Sequence, residues 1–394
     1  MESSDRNTLK INLLEHVLIG KSVNFSGTCS KADGAKASMD FASDNTAGAS
    51  PKVLDAIIAA NQGATAAYGA DPYSAKAERL IGEVFEKDTK SFLVATGTAA
   101  NSLALGAVTP PWGAVFCHEG AHIIEDECGA PEMFTAGAKL VGIPGHAGKI
   151  APDDLRATLA AFPRGAVKQV QPAAVSLSQA TECGTIYTCE EIECLATIAH
   201  EAGLAVHMDG ARFANALVTL GCTAAEMTWK SGIDILSFGA TKNGALACEA
   251  VVFFDPAKAA NFPFQRKRSG HTVSKGRLLG AQMVAYLENG HWLGLAKIAN
   301  ANALHLIEGL AKVTGVRLPW PRQVNEIFAI LPRSVDAALK AGGAVYYDWS
   351  THGRDADLVR TNEDEVFIRL VTSFATQATE IDQFIATAIG GSNS

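Results

Sequence analysis

Lys242 in the run SFGATKNG (237–244) and Asp209 in the run VHMDGAR (206–212) each follow a short apolar stretch that reads as a buried strand. Side chains in that position emerge at the carboxyl edge of a parallel sheet, where open α/β folds bind ligands. A lysine amine there can form a Schiff base with a carbonyl, and a carboxylate there can keep a pyridine nitrogen protonated. The two together predict a site for pyridoxal 5'-phosphate (PLP). Each has a plainer reading on its own: a surface lysine, and an aspartate that caps the helix after its strand.

Three further runs bear on such a site. Arg212 lies one helical turn beyond Asp209, and its planar fork suits a carboxylate, although an ordinary salt bridge is the plainer alternative. ATGTAAN (95–101) follows a strand and opens a helix, so the amides of Gly97, Thr98 and Ala99 are candidates to receive a phosphate. HEGAH (118–122) matches H-E-x-x-H, the spacing of a zinc peptidase. Against that alternative, AVFC before it reads as a strand end, Gly120 weakens a helix at its centre, and no third ligand stands out. His122 then serves either as an imidazole over a cofactor ring or as a buried, hydrogen-bonded histidine.

The elements that must position these groups alternate. Strands are predicted at 92–95, 115–117, 174–177, 205–208, 233–238 and 250–254. A helix starts at Ser50-Pro51, with Ser50 as N-cap, and stops near Gly63. Thr188 and Glu191 form a capping box for a helix ending near Gly203. This is the pattern of a doubly wound α/β domain. Beyond about residue 285 a helix, two or three strands and a final helix predict a smaller α/β domain. The expected division is an N-terminal extension over 1–40, a large domain with a mostly parallel central sheet over 41–285, and a small C-terminal domain over 286–394.

The chain has 394 residues, 48% of them hydrophobic, enough for a large core. A net charge of −8 and the lack of a long basic block argue against a nucleic-acid partner. The one basic cluster, QRKRSG (265–270), reads as a solvated loop or a phosphate contact. No apolar run reaches the ~18–20 residues that span a bilayer, so no membrane role is expected. INLLEHVLIG (11–20) is broken by Glu15 and His16 and reads as a short amphipathic segment. The eight cysteines include no Cys-x-x-Cys pair and predict reduced thiols in a cytoplasmic protein. The sequon at Asn24 has meaning only in a secreted chain.

Taken in order, FASDNTAG, AAYGADP, TGTAANSLAL, HEGAHIIEDECGAPE, HMDGARFANA, SFGATKNG and IRLVTSFAT resemble the threonine aldolase family over about residues 41–390. Its members are PLP enzymes of the aspartate-aminotransferase-like fold (fold type I). The resemblance implies that Lys242 carries the cofactor, Asp209 meets the ring nitrogen and His122 stacks on the ring. Gly97 and Thr98 would bind the phosphate, with Arg277 supplied by a neighbouring subunit. Ser43, Arg212 and Arg369 would hold the substrate carboxylate. Tyr68 and Asp71 would lie near the site, with Glu127 in support. Homodimers or homotetramers with shared active sites are implied as well. Many relatives carry a histidine in a run ending Thr-His-Asn; here the equivalent run is SLSQATECG (176–184), with Thr181 expected at the histidine's place.

The implied reaction is reversible cleavage of an L-3-hydroxy-α-amino acid (threonine, allo-threonine or phenylserine) to glycine and an aldehyde. His122, or a water held near Thr181 and Glu127, is the candidate base. A β-eliminating lyase, a hydroxymethyltransferase or an aminotransferase could use the same Lys242 and Asp209.

Overall fold

The computed structural model describes residues 39–350 and 355–392; nearly all of the expected extension, including 11–20, Asn24 and Cys29, lies outside the described residues. Seven strands build the main sheet: β1 Lys90–Val94, β2 Gly113–His118, β3 Lys139–Ile143, β4 Gln171–Ser178, β5 Ala205–Gly210, β6 Ile235–Gly239 and β7 Glu249–Phe253. Their spatial order is β1-β7-β6-β5-β4-β2-β3. β2 to β6 pair in parallel, and β7 runs antiparallel to both β6 and β1. The central strands carry continuous apolar runs because helices cover both faces of such a sheet. β6 is buried at every residue. β3 is the strand that the sequence does not announce. It is an edge strand paired only with β2, half-covered and interrupted by Gly142, so it needs no apolar run.

The helices that matter for the site are α1 Pro51–Ala60, α2 Pro72–Val84, α3 Gly97–Val108, α4 His122–Glu125, α5 Cys189–Glu201, α6 Phe213–Leu220, α7 Arg277–Leu287 and α8 His291–Leu310. Thr188 and Glu191 form the expected capping box of α5. Ser50 does sit at the N-cap of α1, but its hydroxyl makes no cap bond; it pairs with His291 Nε2 at 3.0 Å instead. Pro51, which needs no partner for its nitrogen, starts the helix without that cap.

A second sheet is antiparallel, with β8 Glu326–Pro332, β9 Tyr347–Asp348 and β10 Glu365–Val371 in the order β8-β10-β9. Helices α9 Arg333–Ala341 and α10 Ala378–Ser392 pack beside it. Ile327, Leu331, Ile368, Leu370, Leu339 and Phe384 form its core, joined by Met39 and Phe41 from the start of the described chain. Met39 and Asp40 run parallel to Ala344 and Val345, so these two residues belong to the folded part. Helix α8 contributes Trp292 and Ala296 to the main core and Ala303, Leu306 and Leu310 to the second. Its 20 residues span about 30 Å.

An aromatic cluster sets the carboxyl edge of β5 and β6. Phe213, just after Arg212, meets Phe238 edge-on with ring centres 5.4 Å apart. Phe85 and Trp292 close the cluster at 5.6 Å each from Phe238. Buried rings of this kind contribute ~2–3 kcal/mol each through apolar area, with ~0.5–1.5 kcal/mol more per edge-on pair. They fix the two strand ends that carry Asp209 and lead to Lys242. Glycine is required between them: a Cβ on Gly239 would lie 2.6 Å from the Ala211 carbonyl oxygen. The turn after Lys242 needs Gly244, at φ +110°, for the same kind of reason, since a Cβ there would lie 2.6 Å from Leu295.

Candidate active site

The carboxyl edge of the main sheet opens into a cleft of about 330 Å³. Gly97, Thr98, Asn101, His122, Glu127, Thr181, Glu182, Asp209, Arg212, Lys242 and Glu249 all contribute to its wall. Lys242 lies in a short turn, Thr241–Asn243, directly after β6. Asp209 is the penultimate residue of β5 and faces Ser237 across the β5–β6 ladder. Sequence-distant groups thus meet because adjacent parallel strands end at one edge.

Asp209 is buried, and both of its carboxylate oxygens are engaged. Oδ1 accepts the Ala211 amide at 2.9 Å and Oδ2 accepts Asn101 Nδ2 at 2.7 Å. The same Asn101 nitrogen donates to Glu127 Oε1 at 2.8 Å, and that oxygen also meets His122 Nδ1 at 2.8 Å. A continuous chain therefore runs Asp209–Asn101–Glu127–His122. The hydrogen bond to Glu127 is the main reason His122 holds its proton above the ordinary histidine range; burial opposes it, and Asp209 adds to it. Beneath Asp209 on the same face of the sheet, His207 is fully buried between the hydroxyls of Ser176 and Ser237, each at 2.9 Å. Burial pushes its pKa down to about 4, so this histidine is neutral and structural.

The start of α3 supplies the anion-binding end. Thr96 is its N-cap, and its hydroxyl accepts the Ala99 amide at 3.2 Å. The Ala99 amide is therefore taken by the cap, which differs from the expectation that it joins the cradle. Gly97 and Thr98 hold the first helical positions, whose N–H groups have no partner within the helix, and both line the cleft.

Arg212 is engaged differently from the expectation. Its Nε and Nη2 bind Asp44 at 2.8 and 3.1 Å, and Nη1 lies 3.0 Å from Glu326. Burial opposes ionisation of Asp44, but Arg212 and Lys242 outweigh it and hold that carboxyl below the usual range. The fork is thus hydrogen-bonded to Asp44 and ion-paired with Glu326, whose Oε2 has no hydrogen-bond donor among the described residues. Arg369 is the looser cation. It donates to the Ala42 carbonyl at 3.2 Å, approaches Glu326 at 4.0 Å and stacks 3.8 Å over Trp349. Its Nε is buried with no acceptor among the described residues.

Of the other expected residues, Ser43, Tyr68, Asp71, Arg277 and Arg369 lie off the cleft wall of this chain. Ser43 caps the turn Asp44–Thr46 by accepting the Asn45 amide. Asp71 caps α2 through Ser74. Tyr68, half exposed at φ +61°, lines a separate, smaller cleft with Arg266 and His271. Arg277 donates to the carbonyls of Gln62 and Gly63. Thr181 does reach the wall, but its hydroxyl turns to Thr185 at 2.8 Å and to the Ala147 carbonyl. Its neighbour Glu182 accepts from Ser178 Oγ at 2.7 Å and from the His122 amide at 2.9 Å, while Oε2 is buried with no hydrogen-bond partner among the described residues. Burial raises the pKa of Glu182, with those hydrogen bonds pulling the other way. Glu249, fully buried and bound to the Ala240 amide at 2.6 Å, is pushed up to about 7, chiefly by burial. Asn101, Glu182, Asp44 and Glu249 do not stand out in the sequence; for Asn101 and Glu249 the available sign is a polar residue in an otherwise apolar helix or strand, whereas Asp44 and Glu182 lie in turns and give no such sign.

The zinc-peptidase spacing is not realised. His118 ends β2 and His122 begins α4, so the two rings do not share a helical face. Among the described residues no group of three His, Cys, Asp or Glu side chains is arranged to hold a metal ion.

Residues 40–333 match the beta-eliminating lyase family. A low specificity L-threonine aldolase of Pseudomonas aeruginosa is 41% identical over 338 residues, covering 84% of this chain and 97% of that protein. One from another Pseudomonas strain is 40% identical over 332 residues, with 84% and 95% covered. The chain belongs to the threonine aldolase family. Members of this family are lyases, and so is this enzyme. The solved threonine aldolase of Leishmania major superposes with a TM-score of 0.81 at 31% identity, covering 89% of this chain and 98% of that one. A serine palmitoyltransferase of Sphingomonas wittichii, at 14% identity and TM-score 0.65 over 90% of this chain and 87% of that one, shares the fold alone. The aspartate-aminotransferase-like α/β fold expected from the sequence is the fold of this chain.

Proposed function

We propose that the cleft binds PLP and cleaves L-3-hydroxy-α-amino acids reversibly to glycine and an aldehyde. The observation that carries this reading is the meeting of Lys242, Asp209 and the first amides of α3 around one cavity. The residues fit the cofactor: an amine for its carbonyl, a carboxylate for its ring nitrogen, and a helix start with unpaired N–H groups for its phosphate. Bound there, PLP supplies an electron-accepting ring for the pair released when the Cα–Cβ bond breaks.

The chain's own groups do the rest. Lys242 would hold the cofactor at its carbonyl, and Asp209, fixed at both oxygens, would keep its ring nitrogen protonated. His122 is tethered at Nδ1 by Glu127, which leaves Nε2 for the substrate. Nε2 accepts the β-hydroxyl proton, and Glu127 stabilises the charged imidazole that results. Glu182 holds the His122 backbone in place at its amide. Arg369 receives the substrate carboxylate, because Arg212 is already neutralised by Asp44.

The β-eliminating and aminotransferase alternatives differ in products. Purified protein supplied with PLP and phenylserine should release benzaldehyde and glycine in equal amounts. A 2-oxo acid or ammonia as the main product would overturn the reading.

A further inference from the structure

Cys189 is the first residue of α5, and Cys222 follows Gly221, the residue after α6. Their sulfurs are 3.7 Å apart although the two positions are separated by 33 in the chain. Both side chains are half-buried, whereas Cys117, Cys183 and Cys248 are buried, and Cys128 and Cys194 are exposed. We propose that Cys189 and Cys222 form an oxidation site that closes to an intramolecular disulfide when it meets a hydroperoxide.

The step balances without any group from the cleft. The Cys189 sulfur, as thiolate, attacks the outer peroxide oxygen. The O–O bond breaks, the alcohol or water leaves, and a sulfenic acid remains on Cys189. The Cys222 sulfur then attacks that sulfur, forming S–S and expelling hydroxide, which leaves as water with the Cys222 proton. Two thiols lose two electrons in all, and the peroxide gains them. Burial disfavours ionisation of the Cys222 thiol, with Cys189 adding to the shift, and the step balances with the two sulfurs in either order.

Closure requires the sulfurs to approach from 3.7 Å to ~2.05 Å. The chain before Cys222 can accommodate that movement. Gly221 lies at φ +69°, and no atom comes within 4 Å of the place where its Cβ would be. The bond would tie two segments that begin at the cleft. Cys189 ends the stretch that carries Thr181 and Glu182, and Cys222 lies two residues beyond α6, the helix whose N-cap is Arg212. A bond closing the loop between positions 33 apart would restrict the unfolded chain and so stabilise the folded one.

The full-length protein with its cofactor is treated with a small excess of hydrogen peroxide, then denatured, and its thiols are counted. Two of the eight should be lost, and non-reducing peptide mapping should find the peptide of Cys189 joined to that of Cys222. Dithiothreitol should restore both thiols. The thermal midpoint of the oxidised wild type should exceed that of the reduced form, and this rise should vanish in Cys222→Ser. The proposal fails if Cys189→Ser still loses two thiols that dithiothreitol restores, or if peroxide yields only singly oxidised cysteines with no joined peptide.

Discussion

Asn101 and Asp209 share a buried 2.7 Å hydrogen bond, and the same Asn101 nitrogen reaches Glu127 at 2.8 Å. One neutral amide thus couples the carboxylate at one end of the cleft to His122 at the other. Without it, two acidic side chains would face each other across buried space. Asn101→Ala should lower kcat about 10–100-fold, the cost of leaving a buried acceptor unmatched (~1–3 kcal/mol), with a smaller change in KM. Steady-state kinetics with threonine or phenylserine measures this. An Asn101→Ala enzyme with unchanged kcat would show that the bridge is only structural.

Glu127 is the largest cause of the raised pKa of His122. A base works in its unprotonated form, so turnover should fall as pH drops through that raised value. Glu127→Gln removes the cause. The acid limb of the kcat profile should then move to lower pH, and the plateau should fall by about 10²-fold, within the range for a weakened general base. An acid limb that stays in place would take His122 out of the base role.

Glu249 tests the electrostatics of the cleft wall through stability. Its carboxyl has an ordinary value of 4.5 and is held at about 7 in the folded chain, mainly by burial. The unfolded chain releases this proton first. The contribution is therefore fully present below pH 4.5 and is lost as pH rises through about 7. The amount is on the order of 3 kcal/mol. Glu249→Gln should flatten the fall in thermal midpoint of the cofactor-free protein between pH 5 and pH 8. Parallel wild-type and variant curves would contradict the assignment.

Much of the site was legible in advance because its residues follow apolar strands. Asp209 and Lys242 stand at the ends of β5 and β6, and Gly97 and Thr98 open α3, as their runs indicated. AVFC before HEGAH reads as a strand end and Gly120 as a helix breaker, and in the fold β2 ends at His118 and α4 begins at His122. What remained hidden depended on long-range pairing. Arg212 looked available for substrate because Asp44, far upstream, is its partner only in the folded chain. Thr181 stands at the place of the relatives' histidine in its run, yet in the fold its hydroxyl meets Thr185, and the neighbouring Glu182 is the one that reaches the His122 amide. Strand β3 escaped notice because an edge strand needs no apolar run.

Among the described residues Arg369 Nε has no acceptor, while Arg212 bonds Asp44 through Nε and Nη2. Arg369→Gln should raise KM for amino acid substrates about 10–100-fold, with kcat changed much less, because a charge-assisted hydrogen bond to substrate is worth ~1.5–3 kcal/mol. A loss confined to kcat would place the carboxylate elsewhere.

The attachment of the cofactor is the claim on which the rest stands. Reduction of the PLP-loaded protein with borohydride fixes the carbon–nitrogen bond between cofactor and protein, and peptide mass mapping then locates the pyridoxyl group. The expected result is a single label on Lys242, absent in Lys242→Ala together with turnover. A label on another lysine, or a Lys242→Ala protein that still cleaves phenylserine at the wild-type rate, would contradict the account.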